Sequence, residues 1–274
     1  PWLARRELFP LTEIGVHAEL YHFHPDAPTL IFLPGIGTYV ELYAETLGRL
    51  SERGFNVLAI DPPGHGYSSG KRGVYQVEQM DEAVSLAINQ LSERYRGAFG
   101  LFGFSIGSLL AISAAEQDSR VDSVLCGTLL LPELPPDLIH WDGWQWTWSS
   151  AFFFPQLSIP LGNLVDFRLL LAGHPAGDAV NEDPLIIFDY PVSTLSSLFT
   201  HRSEVGRKAF PFKAAILHGD RDEVLPLSYS ERVVRHCKHP FELQPVSRAG
   251  HMMPWLQTAT LVDLAADWFH RSLG

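Results

Sequence analysis

Cysteine is scarce in this sequence, with only Cys126 and Cys237 among 274 residues. Neither belongs to a C-x-x-C pair, so a zinc site or a dithiol redox centre has no support, and no metal site is predicted. Cys126 lies in an apolar run and is expected to be a small, buried hydrophobic residue. This cysteine usage fits a reducing compartment without demanding one.

Positive charge is also in short supply. The chain has 20 Lys and Arg against 31 Asp and Glu, which gives a formal net charge of −11. Nucleic acid is disfavoured as a partner, because phosphates need Lys and Arg contacts. Electrostatic docking to anionic lipid is disfavoured for the same reason.

Long apolar runs are missing as well. No stretch of 18 residues is both apolar and free of charge, which argues against a membrane span. The first residues, Pro1 to Arg6, lack the apolar core of a signal peptide. These absences predict a cytoplasmic protein. Because the chain does not begin with Met, a leader lost by trimming is the alternative.

What the sequence does contain is a regular alternation of short apolar runs and amphipathic stretches. The apolar runs predict strands at 29–33, 56–60, 99–104, 121–127, 212–218 and 241–246. The amphipathic stretches predict helices at 39–53, 77–95, 106–116, 228–236 and 256–272. This alternation predicts βαβ units and a parallel sheet. Continuously apolar strands predict that both faces of the sheet are covered.

The alternation is interrupted between residues 132 and 207. We predict a core domain of residues 1–131 and 208–274, with 132–207 as a helical cap inserted into it. The inserted segment is rich in aromatic side chains: Trp141, Trp144, Trp146, Trp148, Phe152, Phe153 and Phe154. The four tryptophans and Phe152 are candidates for lining a substrate pocket or touching lipid aggregates. Packing of the cap onto the core domain and a homodimer interface are the alternatives.

The strongest chemical signal is the pentapeptide Gly103-Phe104-Ser105-Ile106-Gly107. A serine hydroxyl is a weak nucleophile unless it is exposed and activated. The G-x-S-x-G pattern achieves exposure by placing the serine on a strained turn between a strand and a helix. An apolar run before the motif and a helical pattern after it provide that setting, so Ser105 is the predicted nucleophile.

A carboxylate and a histidine should follow the serine in that order. After the interruption, Asp220, Asp222 and Glu223 crowd the loop that follows a predicted strand. From its position, Asp220 is expected to cap the turn, and Glu223, beside Arg221, is expected to be solvated. The predicted base is His251, in the loop between the last strand and the last helix. His65 and His218 are expected to have structural roles.

Acyl transfer also requires donors for the developing oxyanion. The N–H that follows the nucleophile, on Ile106, is one candidate. The loop after an earlier strand, Leu33 to Gly37, supplies the other, for which we select the N–H of Ile36.

With these residues identified, the chain resembles the α/β-hydrolase superfamily, and within it the monoacylglycerol lipase and lysophospholipase-like branch. The resemblance covers residues 1–131 and 208–274. It is carried by Pro34-Gly35-Ile36-Gly37, Asp61-Pro62-Pro63-Gly64-His65-Gly66-Tyr67-Ser68, Gly103-Phe104-Ser105-Ile106-Gly107, Gly219-Asp220-Arg221-Asp222-Glu223-Val224-Leu225-Pro226 and Gly250-His251. The family pattern G-x-x-D-x-x-x-P implies that Asp222 is the acid of the triad. The family often has His-Gly where this chain has Pro34-Gly35, which affects the shape of the oxyanion loop.

The resemblance implies a serine hydrolase that cleaves carboxylic esters of apolar acyl groups without a cofactor. A small-molecule ester or a lipid is the expected substrate. Serine at position 105 argues against dehalogenase and epoxide hydrolase chemistry, which uses a carboxylate nucleophile on this fold. The same triad would serve a thioesterase, a C–C bond hydrolase, an amidase or peptidase, or a cofactor-free haloperoxidase. A binding protein without catalytic activity is the alternative from a different class.

Overall fold

Two sheets organise the computed structural model, which describes residues 1–160, 166–171 and 173–274. In chain order the strands are β1 (Glu7–Leu8), β2 (Ala18–Tyr21), β3 (Thr29–Leu33), β4 (Asn56–Ile60), β5 (Phe99–Phe104), β6 (Val121–Gly127), β7 (Ser158–Pro160), β8 (Asp189–Pro191), β9 (Lys213–Gly219) and β10 (Phe241–Val246). The large sheet has the order β1-β2-β4-β3-β5-β6-β9-β10. Strands β4, β3, β5, β6, β9 and β10 run parallel to one another. Strand β2 pairs antiparallel with both β1 and β4. The predicted mostly parallel sheet is therefore confirmed.

Helices follow most of the strands. They are α1 (Ala44–Glu52), α2 (Val77–Leu91), α3 (Ile106–Gln117), α4 (Leu138–Phe153), α5 (Phe167–Leu170), α6 (Ala176–Glu182), α7 (Val192–Thr200), α8 (Leu227–His236), α9 (Met253–Leu256) and α10 (Thr258–Leu273). Short 3₁₀ turns lie at Leu3–Arg5, Val40–Tyr43 and Glu204–Gly206. Among the helices in the described ranges, none combines the length and the apolar content needed to cross a membrane.

The core lies on both faces of the large sheet, as continuously apolar strands require. On β3, Ile31 and Leu33 pack with buried residues of α2, α3 and α8. The alternate residues, Leu30 and Phe32, pack on the opposite face with residues of α1 and α10. Because side chains of a strand alternate between faces, a strand buried on both sides reads as an unbroken apolar run.

The antiparallel strand β2 was not predicted from the sequence, because Glu19 interrupts its apolar pattern. The Glu19 side chain is fully buried, and the Arg6 guanidinium lies 3.1 Å from its carboxylate. Pairing of this kind is what allows a charge inside a sheet.

The predicted helix at 39–53 begins as a 3₁₀ turn, and the last helix is preceded by the separate short helix α9.

Residues 132–207 depart from the strand–helix alternation, as their sequence pattern predicts. Helix α4 packs against α7, where Trp144 stacks on Phe199 with ring centroids 5.5 Å apart. The second part of the segment joins the core on the α2 and α3 face of the sheet, with Ile187, Tyr190, Leu195 and Leu198 buried there. The division into core domain and cap at 131/132 and 207/208 stays a prediction.

Candidate active site

Ser105 occupies the turn that joins β5 directly to α3. Its backbone has φ +54° and ψ −122°, a conformation that L residues rarely adopt. The turn requires glycine on both sides. A Cβ on Gly103 would lie 2.2 Å from the carbonyl oxygen of Gly107, and one on Gly107 would lie 2.1 Å from that of Leu33. The tight packing that makes the motif possible thus fixes the position of the serine at the carboxyl end of the sheet.

A continuous line of hydrogen bonds joins three residues that are distant in the sequence. The Nε2 atom of His251 lies 3.1 Å from the Ser105 Oγ. Its Nδ1 atom lies 2.9 Å from the Asp222 Oδ2. A proton on Nδ1 donates to the carboxylate and leaves Nε2 as the acceptor for the serine hydroxyl. The three residues predicted from the sequence therefore lie together, in the arrangement that general-base activation of a serine requires.

Four donors surround the buried carboxylate of Asp222. Its Oδ1 accepts the N–H groups of Val224 and Leu225 at 2.8 and 2.9 Å. Its Oδ2 accepts from His251 and from the Thr128 hydroxyl at 3.0 Å. Burial, the largest single influence, raises the pKa of Asp222. The hydrogen bonds and the charge interaction with His251 together outweigh burial, so the pKa lies below its usual value. The carboxylate is thus held ionised opposite the imidazole.

Thr128 was missed in the sequence analysis. It lies just beyond β6 with φ +62°, and its N–H donates to the carbonyl of Leu217 at 2.9 Å. The only local signal is a polar β-branched residue directly after the glycine that ends an apolar strand. Its contact with Asp222 joins residues 94 positions apart, and nothing in the sequence indicates that pairing.

We expect Thr128→Val to lower kcat for an ester substrate by about fivefold to tenfold, the equivalent of ~1–1.4 kcal/mol for one hydrogen bond. Valine preserves the shape of the side chain but removes a donor to Asp222, which raises the pKa of that carboxyl and weakens its hold on His251. Thr128→Ser keeps the hydroxyl and is the matched control. Steady-state kinetics of both variants would contradict this role if Thr128→Val matched the wild type, or if Thr128→Ser lost as much.

Backbone contacts between two loops bring Asp222 and His251 together. The N–H of Asp220 donates to the carbonyl of Val246 at 3.0 Å, and that of Arg221 donates to the carbonyl of Ala249 at 2.9 Å. In the other direction, the Asp220 carboxylate accepts the N–H of Arg248 at 2.7 Å. Asp220 therefore caps the facing loop rather than its own turn.

Glu223 was expected to be solvated beside Arg221, and that expectation is incomplete. The residue is exposed, but its carboxylate accepts the N–H of His251 at 3.1 Å. Neither Asp220 nor Glu223 contacts the His251 ring in the described structure. Asp222 alone of the three acids does so, because the turn directs its side chain inward.

The two predicted oxyanion donors are the N–H groups of Ile106 and Ile36. Ile106 is the first residue of α3, and a helix leaves its first N–H groups without partners inside the helix. Ile36 lies in the loop after β3, and among the described residues its N–H has no hydrogen-bond partner. Each residue lines a cavity that also contains Ser105 and His251.

Two mostly apolar cavities meet at Ser105. The larger, about 170 Å³, is lined by Ser105, Ile106, Thr128, Leu130, Pro136, His140, Trp144, Phe199, Val224, Leu225 and His251. The smaller, about 80 Å³, is lined by Gly35, Ile36, Thr38, Tyr43, Phe104, Ser105, Phe167, Leu170, Val224, His251, Met252 and Trp255. Neither lining, as far as the chain is described, includes an acidic or a basic side chain other than histidine.

The predicted pocket aromatics have different surroundings, although all five lie on α4. Trp144 is 6% exposed and lines the larger cavity beside Ser105. Trp141 and Trp148, which are 41% and 62% exposed, line a further cavity of about 280 Å³. Trp144 and Phe199 belong to the lining of this cavity and of the one at Ser105. Trp146 and Phe152 are also exposed to solvent. Over residues 1–160, 166–171 and 173–274, no group of three His, Cys, Asp or Glu side chains has the arrangement of a metal site.

The profile of a family described as serine aminopeptidase, S33, matches residues 24–254 of this chain. The chain belongs to this family. A Bacillus subtilis relative, the uncharacterized protein YqkD, is 33% identical to this S33 hydrolase over 248 residues. That alignment covers 88% of this chain and 71% of the relative.

Two further similarities concern proteins with named activities. A Mycobacterium phage D29 protein, provisionally named a non-heme haloperoxidase, is 33% identical over 93 residues. This match spans 34% of the S33 hydrolase and only 32% of the phage protein. The crystal structure of a Paleococcus ferrophilus monoacylglycerol lipase superposes with a TM-score of 0.72 at 24% identity, covering 95% of this chain and 99% of that one. The predicted α/β-hydrolase fold is confirmed.

Proposed function

We propose that this S33 hydrolase cleaves carboxylic esters of apolar acyl groups through a covalent intermediate on Ser105. The observation that carries the proposal is the line of hydrogen bonds from Asp222 through His251 to Ser105, which ends between two apolar cavities. Lipases and esterases use this set of groups, and the structural similarity to a monoacylglycerol lipase supports the same class of reaction.

In the proposed reaction, the Ser105 Oγ attacks the ester carbonyl and its proton moves to the Nε2 of His251. Asp222 holds the imidazole in the required tautomer and stabilises the imidazolium. The N–H groups of Ile36 and Ile106 stabilise the negative charge on the carbonyl oxygen. His251 then protonates the leaving alcohol. In the second half-reaction, His251 takes a proton from the water that attacks the acyl-enzyme. It then returns this proton to the Ser105 Oγ as the bond to the acyl group breaks and the acid is released.

The substrate class follows from what lines the cavities. An aminopeptidase substrate carries an α-ammonium group, and burying that charge requires a carboxylate or several acceptors. Among the described residues, no Asp or Glu lines either cavity at Ser105. The apolar linings instead fit an acyl chain or an uncharged alcohol, so an ester is favoured over a peptide within this family.

We further propose that residues 132–207 act as a cap over this site. Trp144 and Phe199, both from this segment, line the cavity beside Ser105. Helix α4 also presents apolar side chains to solvent, with Ile139 and Phe152 each 83% exposed and Phe153 71% exposed. Such a surface suits contact with apolar substrate or a lipid aggregate. A homodimer through the same face stays the alternative prediction, which the mass measured by light scattering would test.

We expect kcat/KM for p-nitrophenyl esters to rise from acetate to butyrate by about 15-fold. Each methylene buried in an apolar cavity contributes ~0.8 kcal/mol, or about fourfold, until the cavity is filled. The series should extend to palmitate and include monoacylglycerols, lysophospholipids, a thioester and an alanine p-nitroanilide. Esters of medium or long acids should be the best substrates, and the anilide should not be cleaved.

A matched pair of variants ties this preference to the cavity. Trp144→Ala should flatten the dependence on chain length, whereas Phe153→Ala, on the exposed face of the same helix, should leave it unchanged. Hydrolysis of the acetate ester alone would contradict a preference for longer acyl groups and would indicate an esterase that acts on small esters. Faster cleavage of the anilide, the thioester or a C–C bond substrate than of any oxygen ester would overturn the proposed substrate class.

A further inference from the structure

A β-turn of residues 35–38 orients the proposed second oxyanion donor. The carbonyl of Gly35 accepts two hydrogen bonds from Thr38, one from its N–H at 3.2 Å and one from its hydroxyl at 2.7 Å. That carbonyl belongs to the same peptide unit as the N–H of Ile36, and in a trans peptide the two groups point in opposite directions. Fixing the Gly35 carbonyl therefore fixes the direction of the Ile36 N–H.

One side of this turn is held by Thr38 of the same loop and by Tyr43 of the 3₁₀ turn that follows it. The N–H of Gly35 donates to the hydroxyl oxygen of Tyr43 at 3.1 Å. The Tyr43 and Thr38 hydroxyls are 2.8 Å apart. Since the Thr38 proton goes to the Gly35 carbonyl, Tyr43 donates to Thr38. Gly35, Tyr43 and Thr38 thus form a closed ring of hydrogen bonds: the Gly35 N–H donates to Tyr43, the Tyr43 hydroxyl to Thr38, and the Thr38 hydroxyl to the Gly35 carbonyl.

The other side of the turn is held by residues far along the chain. Gly37 has φ +75°, and its N–H donates to the hydroxyl oxygen of Tyr190 at 2.8 Å. Its carbonyl accepts the N–H of Ile187 at 2.9 Å. A Cβ on Gly37 would lie 2.5 Å from the carbonyl oxygen of Ile187, so only glycine permits this approach.

Tyr190 is itself fixed by His65. The Nδ1 of His65 lies 3.0 Å from the carbonyl of Pro63, which requires a proton on Nδ1. The Nε2 is then free to accept the Tyr190 hydroxyl proton, at 2.5 Å. Burial lowers the pKa of His65 to about 4, which keeps the ring neutral and able to accept at neutral pH. In this series of hydrogen bonds, the Gly37 N–H donates to Tyr190, the Tyr190 hydroxyl donates to His65, and the His65 ring donates to the Pro63 carbonyl.

We propose that Tyr190 is a positioning residue for the oxyanion hole, acting through Gly37 on the Ile36 N–H. The side chain is fully buried and its hydroxyl has one donor and one acceptor, both determined by their neighbours. Tyr190 belongs to the proposed cap, so a segment outside the large sheet completes the geometry of a loop inside the core domain. The expected effect on rate rests on the proposed function. The restraint of the loop by Tyr190 is independent of that function.

The test is Tyr190→Phe, with Tyr75→Phe as the matched control. Tyr75 is also buried and packs against His65, with ring centroids 5.2 Å apart, but among the described residues its hydroxyl has no partner. Removing an oxyanion donor costs roughly 10²–10³ in rate. A donor that is still present but less firmly oriented should reduce the rate by a smaller factor. We expect Tyr190→Phe to lower kcat about 10- to 100-fold and to leave KM within twofold of the wild type.

Two further measurements separate positioning from a general loss of structure. The affinity for a trifluoromethyl ketone, which forms an oxyanion on the serine, should fall in Tyr190→Phe by the same factor as kcat. Amide hydrogen exchange of a peptide covering residues 34–40 should accelerate in Tyr190→Phe and not in Tyr75→Phe. Unchanged exchange would overturn the proposal, even if the wild type proved to have no esterase activity. In an active enzyme, an unchanged ketone affinity, or equal losses in Tyr75→Phe, would also overturn it.

Discussion

Replacing Ser105 with alanine should lower kcat for ester hydrolysis by about 10⁶, as loss of the nucleophile does in other triads. The hydroxyl oxygen is the atom that forms the acyl-enzyme, and His251 has no other hydroxyl within hydrogen-bond distance in the described structure. What remains should be the smaller acceleration from the oxyanion donors and from substrate binding. Hydrolysis of p-nitrophenyl butyrate by purified wild type and variant measures the effect.

Ser113→Ala is the matched control for Ser105→Ala. Ser113 lies on the same helix, α3, and is equally small, but its hydroxyl donates to Asp81 at 2.9 Å, away from the site. This variant should keep kcat within about threefold, since a change distant from the reacting atoms affects stability more than the chemical step. A Ser105→Ala protein that retained a tenth of the wild-type rate would exclude Ser105 as the nucleophile.

Asp222→Asn should lower kcat by about 10⁴, the effect of the same change in other serine hydrolases. The reason lies in the four donors around Asp222. An asparagine has one acceptor oxygen, and the Val224 and Leu225 N–H groups require it at the Oδ1 position. The amide NH₂ must then face His251, whose Nδ1 becomes an acceptor. The ring proton moves to Nε2, where it blocks removal of the serine proton.

Asp220→Asn tests the choice between neighbouring acids. Asp220 carries the same functional group two residues away, but it caps the backbone of Arg248 and has no contact with the His251 ring. An amide oxygen can accept that N–H equally well, so kcat should stay within about threefold. A larger loss in Asp220→Asn than in Asp222→Asn would contradict the assignment of the acid.

The sequence predicted the parts of the fold that depend on local pattern. The six apolar runs are strands of the large sheet because burial on both faces makes each of them apolar throughout. The pattern could not indicate β2, where buried Glu19 relies on Arg6 for compensation. Nor could it indicate how residues 132–207 fold, since their aromatics give no helical periodicity that separates Trp144, which is buried, from Trp146 on the same helix, which is exposed.

The part of the candidate site that could be predicted from the sequence is the part whose geometry depends on neighbouring residues in the chain. The glycines around Ser105 are required by contacts within a few residues, so the motif reveals the turn. The supporting contacts depend on tertiary structure. Thr128 reaches Asp222 across 94 positions and Tyr190 reaches Gly37 across 153, and such pairings leave no signal in a single sequence.

The most direct test of Ser105 as an activated nucleophile is labelling of the folded wild-type protein with a fluorophosphonate, followed by peptide mass mapping. The serine oxygen displaces fluoride from phosphorus only when it is activated by its neighbours. We predict a single phosphonyl adduct on the peptide containing Ser105, and none in Ser105→Ala. No adduct on folded protein, or an adduct only on another residue, would show that these three side chains do not form a catalyst and would favour a binding protein on the same fold.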